Sequence, residues 1–108
     1  MANTYRVIVT PEARDQIKEI VDYWEDKESA AKAERTLDGI LEGIDSLADM
    51  PTRHAPVPSI SKRGTMYRRI LSKPYRIVFT IDEEEITVTV VDIDHERRHP
   101  QVIIDKLG

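Results

Sequence analysis

Two apolar stripes at helical spacing lie almost end to end in the first half of the chain. Ala13, Ile17, Ile20, Val21 and Trp24 fall on one face of a first helix. Ala33, Leu37, Ile40, Leu41, Ile44 and Leu47 form the same kind of stripe in a second. Only the charged run Glu25-Asp26-Lys27-Glu28 separates them, so the two helices must fold back as an antiparallel hairpin. The boundaries are marked by chemistry. Thr10 caps the first helix, with Pro11 at its first position and Glu12 at its positive end. Ser29 caps the second, and Asp49-Met50-Pro51 ends it. Gly39 and Gly43 weaken that helix, and their spacing allows another element to approach closely.

The remaining apolar residues follow a period of two. Tyr5–Thr10 reads as a strand ahead of the hairpin. Residues 51–64 carry Pro51, Pro56, Pro58 and Gly64 and read as a loop, with an extended piece at Pro58–Ser61. Three strand-like runs follow, Met66–Leu71, Tyr75–Ile81 and Ile86–His95, joined by short turns as an antiparallel meander. The expected fold is α+β: a helical hairpin on a mainly antiparallel twisted sheet of about four strands, with a short C-terminal helix or tail. At 108 residues the chain makes one domain, residues 1–108.

Pairing Ile81 with Ile86 across the acidic turn sets Phe79 opposite Val88 and Ile77 opposite Val90, on the face the hairpin covers. Pairing Ile70 with Tyr75 sets Arg69 directly opposite Arg76 on the other face. His95 shares that face if the last strand runs without a bulge. Val91 and Ile93 are apolar there, which makes a bulge a real alternative.

Charge is segregated. Residues 1–49 hold six basic and twelve acidic side chains, and residues 82–108 hold three and eight. Residues 50–81 hold seven basic and no acidic ones, so a local anion-binding patch is hidden inside a chain of net charge −4. The blander reading is a solvated, aggregation-resistant edge. With no cysteine, disulfide scaffolds, thiolate metal sites and cysteine nucleophiles are excluded. No apolar run reaches membrane-spanning length and no signal layout opens the chain, so a cytoplasmic location is expected.

The residues that could carry chemistry are Arg69, Arg76, His95 and His99, flanked by Lys62, Arg63, Arg68, Lys73, Arg97 and Arg98. Guanidinium groups grip phosphate in two-point contacts, and a histidine can move protons near neutral pH. Asp92 and Asp94 share a strand face but lack the further ligands a metal site needs. No phosphate-binding glycine loop, nucleophile elbow or HExxH motif is present, and neither metal nor cofactor is expected.

The order of these features resembles the RelE/ParE superfamily of type II toxin–antitoxin toxins, the plasmid stabilisation proteins. The resemblance is carried by Ser46-Leu47-Ala48-Asp49-Met50-Pro51, Tyr67-Arg68-Arg69, Tyr75-Arg76-Ile77-Val78-Phe79 and His95-Glu96-Arg97-Arg98-His99-Pro100. It implies a growth-inhibiting toxin neutralised by a cognate antitoxin that wraps it. In one branch such toxins cleave mRNA on the ribosome without metal; in the other they poison DNA gyrase without chemistry of their own. By position, Arg76 matches the family's Tyr-Arg strand motif, and His95, Arg97 and Arg98 match its basic tip. Antitoxin contacts are expected at Ile17, Val21, Trp24, Leu37 and Leu41, and a homodimer when antitoxin is absent. Two departures stand out: no tyrosine follows the basic tip, and Glu96 stands where many members keep an arginine. The long hairpin is more like ParE. A toxin fold that has lost toxicity and serves in a repressor complex is the third reading.

Overall fold

The computed structural model describes residues 4–58 and 64–96. Its elements are β1 (Arg6–Val9), α1 (Pro11–Lys27), α2 (Ala30–Ser46), a 3-10 turn (Pro51–Arg53), β2 (Arg68–Ser72), β3 (Tyr75–Asp82) and β4 (Thr87–His95). The caps are the expected ones. Thr10 Oγ1 accepts from the Ala13 N–H at 3.1 Å and Ser29 Oγ from the Lys32 N–H at 3.1 Å.

The sheet has four strands in the order β1-β4-β3-β2. β2, β3 and β4 form the antiparallel meander. β1 joins parallel to β4, with Val7 beside Val88 and Val9 beside Val90. The hairpin supplies the crossover that a parallel pair requires. Both helices cover one face, and the core between comprises Ala13, Ile40, Ile44, Leu47, Tyr75, Ile77, Phe79, Val88, Val90 and Ile93. The glycine spacing in α2 serves that packing. A Cβ at Gly39 would meet Ser72 Oγ at 3.1 Å, and one at Gly43 would meet Ile77 Cδ1 at 3.0 Å.

The opposite face carries a second, smaller apolar cluster of Val57 and Val78, flanked by Tyr67 and Val91. The proline-rich loop makes it by running along the free edge of β2. Val57 donates to the Tyr67 carbonyl at 2.7 Å and Arg69 to the Ala55 carbonyl at 3.1 Å. The extended piece therefore lies nearer the start of the loop than expected, with Pro56 bridging Arg68. Of the Pro58–Ser61 piece only Pro58 is described, and the C-terminal tail lies outside the described residues.

The strand register differs from expectation by two residues at both turns. Tyr75 pairs with Ser72 rather than Ile70, and Ile81 with Val88 rather than Ile86. Two-residue shifts preserve the facing of every side chain, so Phe79 and Ile77 still point to the helices. Ile86 is unpaired because it closes the acidic turn with φ 48°, where its carbonyl accepts from the Arg6 N–H at 3.0 Å. The bulge alternative is the one realised. The β3–β4 register shifts between Val78 and Phe79, so that Phe79 faces Val90 and Val78 faces Asp92. Val91 is the extra residue, and every position of β4 beyond it changes side.

Candidate functional site

The charged residues gather at the end of the sheet where β3 begins and β4 finishes. Arg76 is buried at 8% exposure, with Leu71 beside it on β2 and Asp94 beside it on β4. Arg69 stands two positions along β2, opposite Val78. The two arginines therefore share a face, as the alternation requires, but sit diagonally rather than directly opposite. The diagonal separation of roughly 7–8 Å lowers their mutual repulsion. Arg69, Leu71, Arg76 and Glu96 line an open cleft of about 280 Å³. Glu96 is held at its rim by a hydrogen bond from its N–H to the Pro74 carbonyl at 2.8 Å.

His95 does not join them. The bulge at Val91 rotates it to the helix side, where it pairs with Tyr75 and meets that ring edge-on at 6.0 Å. There it lines a different cleft, of about 180 Å³, with Gln16, Glu19, Ile20, Tyr75, Ile93 and Asp94. The same rotation brings Asp92 and Asp94 to the arginine side of the sheet. Asp94 is 5% exposed, and its Oδ1 accepts from the His95 N–H at 2.9 Å. The arginine cleft is thus a mixed-charge surface with Glu96 at its rim, while Asp94, beside Arg76 in the ladder, lines the His95 cleft instead.

Arg68, adjacent to Arg69, points the other way. It pairs with Phe79, and its Nη1 donates to the His54 carbonyl at 2.6 Å and the Thr52 carbonyl at 3.1 Å. It ties down the proline-rich loop. Lys73 is exposed in the β2–β3 turn. Lys62, Arg63, Arg97, Arg98 and His99 lie outside the described residues.

The expected antitoxin-contacting residues divide. Ile17 packs against the main core. Val21 and Leu37 are half-buried. Trp24 is half-buried, its indole N–H donating to Tyr75 Oη at 2.7 Å while Lys32 lies over its ring at 5.0 Å. Leu41 is 43% exposed, and Tyr23, which the stripe did not include, is 52% exposed. The outer surface of the hairpin therefore offers Tyr23 and Leu41 more than Ile17 or Trp24.

Two residues emerge only from the structure. Gln16 bridges α1 to β4 where β1 has ended. Its Oε1 accepts from the Ile93 N–H at 2.9 Å and its Nε2 donates to Asp92 Oδ1 at 2.6 Å. The side-chain amide thus replaces the missing strand. A polar residue next to Ile17 in a stripe carries no signal of this. His54 lies edge-on to Phe79 at 6.0 Å, with a buried Nε2 that has no hydrogen-bond partner. Burial pushes its pKa below the usual value, and Arg53 and Arg68 push the same way. Among the described residues no cluster of three or more His, Asp or Glu could hold a metal ion, and no helix is long and apolar enough to cross a membrane.

The sequence matches the family of ParE toxins of type II toxin–antitoxin systems, parDE, over residues 7–100. Similar folds occur among solved structures. A chain of the chromosomal ParDE system from P. aeruginosa superposes with a TM-score of 0.69 at 18% identity, covering 87% of this chain and 98% of that one. A chain of the RelBE2 toxin–antitoxin complex from Mycobacterium tuberculosis gives 0.61 at 24% identity, with 88% and 94% covered. One from the archaeal RelE–RelB complex of Pyrococcus horikoshii OT3 gives 0.62 at 13%, with 89% and 99% covered. No curated protein matches the sequence. The fold is that of a RelE/ParE superfamily toxin. The chain belongs to the ParE toxin family of type II toxin–antitoxin systems.

Proposed function

We propose that this chain is the growth-arresting member of a toxin–antitoxin pair, neutralised by a cognate antitoxin, and that it acts by binding DNA gyrase without cutting RNA. One observation carries the choice between targets: Arg76 and His95 stand on opposite sides of the sheet. Phosphodiester cleavage needs a proton-transferring group within hydrogen-bond reach of the atom it serves, next to the cations that hold the phosphate. Here the imidazole lies against Tyr75 in the cleft beside α1, while Arg76 lines the separate cleft with Arg69. The carboxylate of Glu96 at the rim further weakens the cleft's field for a polyanion. A mixed-charge cleft with Leu71 exposed in its wall suits a protein surface better. The ParE family match points the same way. The antitoxin is assigned to the outer face of the hairpin around Tyr23 and Leu41.

The alternative, ribosome-associated mRNA cleavage, is favoured by the one feature the expectation and the structure share, Arg69 and Arg76 in a common cleft. Two assays separate them. The purified chain should abolish supercoiling by gyrase in a dose-dependent way, and inducing it should raise DNA-damage signalling without new RNA 5′ ends. New ends clustered within translated codons, lost in Arg69→Ala, would overturn the gyrase reading. Absence of growth arrest on induction would leave the third reading, a repressor component without toxicity.

A further inference from the structure

Most of the strand edge in this sheet is closed by named contacts; among the described residues the outward peptide group at Leu71 near the end of β2 and the outer edge of β1 are not. The start of the outer edge of β2 is covered by residues 55–57 through the Val57 and Arg69 N–H groups. Beyond the end of β1, the exposed edge of β4 is closed by side chains: Gln16 takes the Ile93 N–H and Asp94 takes the His95 N–H. The outer edge of β1 has no such cover among the described residues. The Arg6 N–H donates inward to Ile86 and the Thr10 N–H inward to Val90, both at 3.0 Å. Strand alternation therefore turns the peptide groups of Val7 and Val9 outward.

This open stretch is sharply bounded. At one end the Tyr5 N–H, which also points outward, is taken by the Ala48 carbonyl at 2.8 Å. At the other, Pro11 has no N–H and starts α1. The window runs over residues 6–10 and is centred on Ile8. Ile8 is 38% exposed on the face away from the helices. None of the usual guards of an edge, such as lysine, an inward charge or a bulge, interrupts Val7-Ile8-Val9.

We propose that β1 is a self-association surface, on which a second copy of this chain pairs antiparallel about a two-fold axis at Ile8. The register follows from the window. Val7 faces Val9 of the second copy, and each such pair exchanges both of its peptide hydrogen bonds. Ile8 faces its own counterpart at a non-hydrogen-bonded position, with Cβ atoms roughly 4.5–5.5 Å apart. Arg6 faces Thr10 of the second copy, so no like charges are opposed. The centred window is what selects a second copy as the occupant. An antiparallel strand entering this edge finds Ala48 at one end and a helix at the other, and β1 of another copy ends at the matching places. The contact is small, so the dimer dissociates on dilution.

Because the natural chain has no cysteine, Ile8→Cys gives a single reporter. In the full-length chain, cross-strand thiols at a two-fold non-hydrogen-bonded position are close enough to form a disulfide. Mild oxidation of Ile8→Cys should give a covalent dimer about tenfold faster than Leu41→Cys or Arg6→Cys, whose thiols meet only by collision. Sedimentation of the unmodified chain should show a concentration-dependent dimer. Ile8→Glu and Ile8→Lys should each be monomeric, and an equimolar mixture of the two should dimerise again. Ile8 is 38% exposed, so these variants should keep their fold, which circular dichroism would check independently. Three results would overturn the proposal: a monomer at every concentration; a dimer that cross-links through Leu41→Cys instead; or Val7 and Val9 amides that become protected from hydrogen exchange only when an antitoxin is bound. None of these readouts depends on what the toxin inhibits, so they fail or succeed apart from the gyrase reading.

Discussion

The two halves of the β3–β4 ladder are built by different rules. From Phe79 to Asp82, facing Thr87 to Val90, the sheet alternates cleanly: Phe79, Val88 and Val90 point to the helices, while Thr80 and Thr89 point away. β1 completes this half on its free side. From Tyr75 to Val78, facing Asp92 to His95, the strand carries buried Arg76, Asp92 and Asp94, and a glutamine side chain replaces β1. One inserted residue, Val91, separates the halves. It teaches that the composition of a charged strand end says little about its chemistry until the facing is known. Four charged or titratable residues, Arg76, Asp92, Asp94 and His95, exchange neighbours through that single step.

The most direct way to break the comparison is Ile93→Asp, which puts a carboxylate on the helix side of the half whose charges lie on the other side. Ile93 is 3% exposed in the main core. Burying a carboxylate without a partner costs about 3–5 kcal/mol, enough to unfold a domain of this size. Urea denaturation should show no cooperative transition or one displaced to much lower urea. A normal transition would mean that the facing set by the bulge does not decide where this half tolerates charge.

A smaller effect is expected at Gln16. Gln16→Ala removes both bonds to β4 and leaves the Ile93 N–H unpaired, a loss of about 2 kcal/mol. Amide exchange should quicken at Ile93 and stay unchanged at Thr89, in the half that β1 supports. Equal quickening in both halves would mean that they do not open separately.

Trp24→Phe keeps the apolar body and removes the hydrogen bond to Tyr75, for about 1 kcal/mol. The chemical shift of the Tyr75 ring should move and that of Phe79 should not.

The smallest effect lies at the junction itself, where His54 packs on Phe79. Its pKa is lowered from 6.5 in the folded chain by burial and by Arg53 and Arg68. Below that ordinary value the unfolded chain binds more protons than the folded one. His54 therefore contributes its full stability above pH 6.5 and loses it progressively as pH falls toward the folded pKa. Stability measured from pH 7 down to 5 should fall in the natural chain, and His54→Gln should flatten that part of the slope. An unchanged slope would place the pH dependence elsewhere.

Much of the fold was legible in the residues because it depends on local chemistry and periodicity. Thr10-Pro11 and Ser29 can only start helices well, and the two stripes must face one core. Tyr75–Ile81 alternates as a strand whatever it pairs with. Even the sharing of a face by Arg69 and Arg76 follows from alternation alone, and survived a two-residue error in register. The site was less legible. His95 was expected beside Arg76 if β4 ran straight, and it does not. Arg68 and Arg69 look alike in sequence, yet one staples the loop through Thr52 and His54 while the other lines the cleft.

The sequence by itself determined the helical hairpin, its caps, the close approach at Gly39 and Gly43, the meander, and membership of the toxin superfamily. These depend on dihedral preferences, spacing and order along one strand of chain. Tertiary structure alone decided where the last strand bulges, which cations reach the cleft, and that a glutamine closes the edge β1 leaves open. Each of those is settled by pairing between segments far apart in sequence, where a one-residue step reverses a facing and no local pattern records it.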